Sequence, residues 1–471
     1  MKIRLSCKKS SQMAYVILGI VILLTVKWLY MYVTLSVLYD LDYSSQKHFG
    51  INFNPAKEII ASVIFIVEAF IVLITKRDSD FKETLMYLLF IMYYIPLNSI
   101  VSLVNASCDF MVISNLFFFL IIFFLTIHRK RKIIHIEQKI DESVEENFFD
   151  GKVRAVCFGI CILFILYKLS FNGFNFSLLM SGDYVYANRI TNHDKIMASE
   201  KGVLSLLITV LSNIATYAAP LYLLLSIQKK RIVGIIVAAL CILSQYSIYS
   251  MKGNLLMIPV VIGICILCSK HIKIPFHKLI VYGSLLFFAC ITFLWIKFDR
   301  AELYMLIVRR MLYLPTWLNT MYFEFFSAHP KVLLTDEIFI IKRFLPHVYN
   351  ESVLTLISKT YFAGEILSPN NGLLSEAYMQ FGIFGVLLYP SLYSLVFRWA
   401  DYVYKPYGRK VQVFVAFIFV SALPNIGMFR TDFVMTFFLL TFILQIISKI
   451  DFGIAAYSVK LRRTRIGWTI I

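Results

Sequence analysis

Residues 13–38 read MAYVILGIVILLTVKWLYMYVTLSVL, twenty-six residues with a single charge at Lys27. As a helix rising about 1.5 Å per residue, this stretch reaches about 39 Å and spans the roughly 30 Å hydrocarbon core of a bilayer. Basic Met1–Gln12 precedes it, and no small-x-small cleavage site follows. A retained first span is expected, not a cleaved signal peptide. Comparable apolar stretches recur at 57–75, 84–104, 110–127, 155–170, 203–226, 232–250, 255–269, 279–298, 377–397, 411–427 and 433–448, making twelve predicted spans. Hydrophobic residues are 59% of the 471 and charged residues 16%, against roughly 25% charged in soluble domains. An aqueous fold is excluded. The expected class is an all-α, polytopic membrane protein forming one integral domain over 1–471.

Basic residues are retained in cytoplasmic loops near span ends. With both termini in the cytoplasm, the cytoplasmic segments hold 29 of the 46 Lys and Arg residues. The formal charge of +18 is therefore mainly a topology signal, with attraction to anionic membrane lipid as a by-product. Nucleic-acid binding is a poor reading of it. Two extracytoplasmic segments stand out by length: 171–202, and the large loop 299–371, which carries Arg300, Arg309, Arg310, Lys331, Lys342, Arg343 and Lys359 among aromatic residues. Within the large loop, 303–327 has helical apolar spacing broken at Pro315, and 337–349 repeats the mixture of apolar and basic residues. The spacing predicts interfacial helices forming a semi-buried cap.

Inside the spans, Lys27 and Glu68 lie at similar depths, so an ion pair between them is expected. Cys157 with Cys161, and Cys265 with Cys268, lie in spans without accompanying His or carboxylates and read as small packing residues. No HExxH, paired-acid, P-loop or dinucleotide pattern stands where it can work. Metal-free, cofactor-free chemistry on a substrate that carries its own activation is expected.

Arg189, Lys252, Arg300, Arg309, Arg310, Arg343 and Arg430 all fall on the outer side against the positive-inside bias. A diphosphate explains several of them, because Arg presents a planar fork of donors to phosphate oxygens and Lys a compact charge. Pairing with Asp183, Asp299, Glu302 and Asp432 is the structural alternative. His347, Glu365, Glu376, Asp299 and Asp432 are the candidate general bases, and Glu376 also suits the start of a helix.

Ser368–Pro390, SPNNGLLSEAYMQFGIFGVLLYP, resembles the Asn/Gly, Glu-Ala-Tyr, Phe-Gly-x-x-Gly pattern of Wzy-type O-antigen and capsule repeat-unit polymerases. Ser181–Arg189, Tyr249–Asn254, the Arg309-Arg310 pair followed by Pro315, and Arg430-Thr431-Asp432 extend the resemblance over about 180–435. It implies a GT-C-like membrane glycosyltransferase of the bacterial plasma membrane that moves a growing glycan from undecaprenyl diphosphate onto the non-reducing end of a new lipid-linked repeat unit. Arg189, Arg309 or Arg310, and Arg430 are then expected to bind the donor diphosphate, with Lys252 and Arg343 also in the substrate site. Glu376 or His347 is expected to deprotonate the acceptor. A chain-length regulator and a flippase are the implied protein partners. An arginine-ten residues-glycine pattern found in some members is not reproduced at Arg189, Arg309 or Arg310. Two alternatives share parts of this pattern: an O-antigen-ligase-like transferase, and a non-enzymatic flippase with short loops and cations deep in the spans.

Overall fold

The first apolar stretch lies inside α1 (Lys2–Asp40), and what holds α1 to its neighbours is polar as well as apolar. The structure, a computed structural model, describes residues 2–40, 53–75, 79–104, 106–126, 142–173, 203–249, 252–269, 276–298, 312–335, 346–362, 372–428 and 438–449. After α1 come α2 (Pro55–Ile74), α3 (Asp80–Leu89), a π-helical turn (Phe90–Tyr94), α4 (Ile95–Leu103), α5 (Cys108–Thr126), α6 (Glu142–Asn172), α7 (Val203–Gln228), α8 (Ile232–Tyr249), α9 (Lys252–Leu267) and α10 (Phe276–Phe298). They are followed by α11 (Leu314–Ala328), α12 (Val353–Tyr361), α13 (Leu374–Phe381), α14 (Ile383–Tyr404), a 3-10 turn (Lys405–Tyr407), α15 (Arg409–Ala422) and α16 (Leu439–Lys449). Among the described residues there is no β-strand.

Helix occupies the described part of every one of the twelve apolar stretches, with a break at Gly382 and a turn beginning at Leu423. Among the described residues, seven helical segments are long and apolar enough to cross a membrane: Met13–Ser36, Asp80–Leu103, Cys108–Thr126, Gly151–Phe171, Ile208–Gln228, Lys278–Phe298 and Ile383–Tyr407. Trp28, Val63, Leu163, Leu286 and Ile296 are exposed on their helices. Apolar side chains turned outward from helices with internally satisfied backbones suit lipid as the solvent. The chain is an all-helical, polytopic membrane protein.

Contacts divide it into two units. One comprises 1–134 and 263–434, the other 135–262 and 435–471. In the second, α6, α7 and α8 pack on one another and α16 packs on α6 and α7; Cys157, Cys161 and Cys241 are buried there.

In the first unit, α1 packs on α2, α4 and α10, α3 on α15, and α5 on α14. Local signals start several of these helices. Asn54 Oδ1 accepts from the Lys57 N–H ahead of α2, with Pro55 in its first turn, and Ser79 accepts from the Lys82 N–H ahead of α3. Such caps satisfy donors that have no partner within the helix. At the other end of α5, the Phe124 carbonyl accepts from Ser394 Oγ at 3.0 Å and from Arg398.

Lys27 does not pair with Glu68. Its Nζ lies 3.0 Å from Glu58 Oε1 and donates to Ser62 Oγ at 3.2 Å. Gly19 meets Leu73, an antiparallel register that sets Lys27 level with Phe65, whose ring centroid lies 5.5 Å from Nζ. Depth thus allows either carboxylate, and the direction of the side chain around α2 decides. Ser102 Oγ donates to Glu58 Oε2 at 2.7 Å, completing the pair's hydrogen bonding. Glu58→Leu alone, which strands a fully buried lysine, is expected to cost about 3–5 kcal/mol, whereas the double change Lys27→Met/Glu58→Leu should sit close to the wild type. Thermal unfolding of the purified protein in detergent compares them.

Candidate functional site

The segment that carries the glycine-rich pattern folds into the helical corner α13–α14, and each of its glycines has a geometric reason. A Cβ on Gly372 would stand 1.9 Å from the Leu423 carbonyl oxygen, and one on Gly385 would stand 1.9 Å from that of Ala377. Both collisions are with backbone, so no side-chain shift relieves them. Gly382 joins the two helices at φ 61°, ψ −137°, a region that only glycine occupies without strain. Leu373, fully buried ahead of α13, is held at φ 50°, ψ −113°. A non-glycine residue there costs about 1–3 kcal/mol and is kept only where its surroundings over-determine it.

Glu376, in the first turn of α13, is completely buried. Its Oε2 accepts from the Tyr393 hydroxyl at 2.9 Å and from the Met428 N–H at 2.7 Å. One carboxylate oxygen therefore ties α13 to α14 and to the chain after α15. Beside it, Asn319 Oδ1 accepts from the Ser375 N–H at 2.9 Å, and the Tyr93 hydroxyl accepts from the Leu374 N–H at 3.4 Å. These bonds satisfy the α13 N-terminus, which has no side-chain cap of its own. Two donors in this neighbourhood, Trp317 Nε1 and Gln380 Nε2, are buried without a partner among the described residues.

Asn319 and Trp317 belong to α11, where the structure differs from the interfacial helix expected over 303–327. Pro315 sits in the first turn of α11, directly after the π-helical Leu312 and Tyr313, and 303–311 lie outside the described residues. Pro315 to Phe323 are all buried. Thr316, Asn319 and Thr320 return hydrogen bonds to carbonyls three or four residues back at 2.7–2.8 Å, which lets polar side chains enter a buried position. This portion of the large loop is core.

Beyond α11, Lys331 donates to the Phe326 carbonyl and places Nζ 4.7 Å from the centre of the Tyr378 ring. Burial lowers its pKa from the ordinary lysine value. Lys359 is held by Glu351 at 2.6 Å in an exposed pair. His347 is exposed in the loop ahead of α12, in contrast to the enclosed Glu376. Arg189, Arg309, Arg310, Arg343 and Arg430, like Arg300, Lys342, Glu365, Asp299, Asp432 and most of 171–202, lie outside the described residues. Lys252 is the first residue of α9, and its side chain lies outside them too.

A second feature was not visible in the sequence. Leu88, Ile91 and Met92 line an open apolar cleft of about 310 Å³ together with Leu279, Ile280, Gly283, Ser284, Phe287, Phe288 and Leu312. Ile91 and Met92 belong to the π-helical turn, a local widening frequent at functional positions. In sequence, Arg309 and Arg310 precede Leu312 by three and two residues. The residues that make the cleft are far apart along the chain, so no local signal marks it.

Comparison with protein-family models, with curated protein sequences and with solved structures finds no match for this chain.

Proposed function

We propose that the chain polymerises undecaprenyl-diphosphate-linked oligosaccharide repeat units of an O-antigen or capsule, as a metal-independent, GT-C-like glycosyltransferase of twelve spans at the outer face of the bacterial plasma membrane. The observation that carries this reading is the apolar cleft lined in part by Leu312, two residues after Arg310 in sequence. An isoprenoid tail suits an apolar cleft opening among membrane helices, and a diphosphate suits the two neighbouring guanidinium groups that precede Leu312 in the chain. Arg343 and Arg430 are the further cations we assign to the departing diphosphate as the glycan is transferred. Exposed His347 is the group we assign to the acceptor proton. Glu376, enclosed and doubly hydrogen-bonded, supports the site's floor.

The cleft itself supplies a test. Gly283 lines it, and a Cβ added there meets nothing within 4 Å, so Gly283→Leu fills tail space without disturbing backbone. The variant is expected to keep its thermal stability in detergent while losing most of its bound polyprenyl diphosphate by native mass spectrometry. Undiminished binding of the lipid would remove the cleft from the site.

A further inference from the structure

Between α2, α4 and α5 a second polar cluster lies at membrane depth, apart from the α13 corner. Glu68 is 3% exposed, and its Oε2 has no hydrogen-bond partner among the described residues. Asn98 is 1% exposed, and its Oδ1 is unpartnered in the same sense. Its Nδ2 faces three acceptors: the Ala61 carbonyl and Asn115 Oδ1, both at 3.2 Å, and the Tyr94 hydroxyl at 3.4 Å. Asn115 is fixed in orientation, because its Nδ2 donates to the Met111 carbonyl at 2.7 Å.

Counting hydrogens then constrains Glu68. The Tyr94 hydroxyl approaches Asn115 Oδ1 to 2.7 Å, and Asn115 Oδ1 cannot donate, so the single tyrosine hydrogen lies between them. Glu68 lies beside the Tyr94 hydroxyl. With the tyrosine hydrogen committed to Asn115, a hydrogen between Glu68 and the tyrosine oxygen would have to come from the carboxyl group. An ionised carboxylate so enclosed and without a cation would carry a large desolvation cost, and Lys27 is already held by Glu58.

We propose that Glu68 is a membrane-embedded proton-binding site, loaded and emptied through the Glu58 end of the α2–α4 pair. Tyr94, Asn98 and Ser102 recur every four residues and so share one helix face; Asn98 Nδ2 lies 3.4 Å from the Tyr94 hydroxyl, and the step of about 6 Å from Asn98 to Ser102 is a gap that one water bridges. Ser102 reaches Glu58 Oε2 at 2.7 Å, and the Glu58 side chain is 12% exposed. A proton taken from water at Glu58 ends on Glu68, converting its carboxylate to the acid, and leaves by the same route. Other ionisable groups on the surrounding helices include Lys27 and Tyr30 of α1, Tyr93 of the π-helical turn, Cys108 and Asp109 in the first turn of α5, and Lys57 of α2 itself. Lys57 is bound to the Ala106 carbonyl and Tyr93 to the Leu374 N–H.

The full-length protein in nanodiscs tests this by infrared spectroscopy of the protonated-carboxyl stretch during exchange from light to heavy water. The expected result is a deuterium-sensitive band at neutral pH that disappears in Glu68→Gln and shifts in Tyr94→Phe. Ser102→Ala, which leaves the Lys27–Glu58 pair in place, should slow the exchange about tenfold, the factor that corresponds to one lost hydrogen bond. A spectrum unchanged by Glu68→Gln, in protein whose melting temperature shows it folded, would overturn the proposal. So would a Glu68 band that never exchanges, which marks a sealed structural acid, or one displaced by sodium at constant pH, which marks a metal-cation site.

Discussion

Replacing Arg309 and Arg310 together by Ala is expected to leave the protein folded in the membrane and to stop polymer formation. Loss of one preorganised donor to a developing negative charge typically costs about 10²–10³ in rate, and two donors to one diphosphate would be lost here. Each single variant should therefore retain a small fraction of polymer, with shortened chains, and the double variant only single repeat units. Gel separation of surface glycan, beside quantitation of the protein in membranes, reads both effects. Full-length polymer from the double variant would separate the arginine pair from the chemistry, and the diphosphate would have to be held elsewhere.

The second large effect is expected at Glu376. Glu376→Ala leaves the Met428 N–H and the Tyr393 hydroxyl without an acceptor in a buried site, at about 1–3 kcal/mol each before any cavity cost. The corner should loosen and the melting temperature fall sharply. Glu376→Gln keeps the volume and one carbonyl oxygen, so the fold should survive, and polymerisation with it, because the residue acts as a clamp. A folded Glu376→Gln protein that had lost turnover would instead make Glu376 the acceptor's base, the role that the sequence alone left open between it and His347.

The pattern around Glu376 also shows what a linear reading captures. Gly382 and Gly385 were legible as the glycines of the Phe-Gly-x-x-Gly pattern, and the structure puts Gly385 directly against the Ala377 carbonyl. Helices over the long apolar stretches were legible too, since hydropathy acts within one segment. Partner choice was not. Lys27 could reach either carboxylate by depth, and its direction around α2 selects Glu58. Pro315 was legible as a break, but the burial of the residues that follow it was not, because that burial depends on Thr316, Asn319 and Thr320 bonding back onto carbonyls one turn earlier. Tyr93 and Tyr393 were not legible for a related reason. Tyr93 serves the α13 corner from the π-helical turn and Tyr393 from further along α14, and nothing in the local sequence separates either from the chain's other tyrosines.

The central claim is polymerisation, and the length distribution of surface glycan in a strain lacking this chain tests it most directly. The account predicts that long polymer disappears while single repeat units still reach their final carrier, and that returning the wild-type chain restores the ladder. Loss of all surface glycan, single units included, would contradict it and indicate a ligase or a flippase.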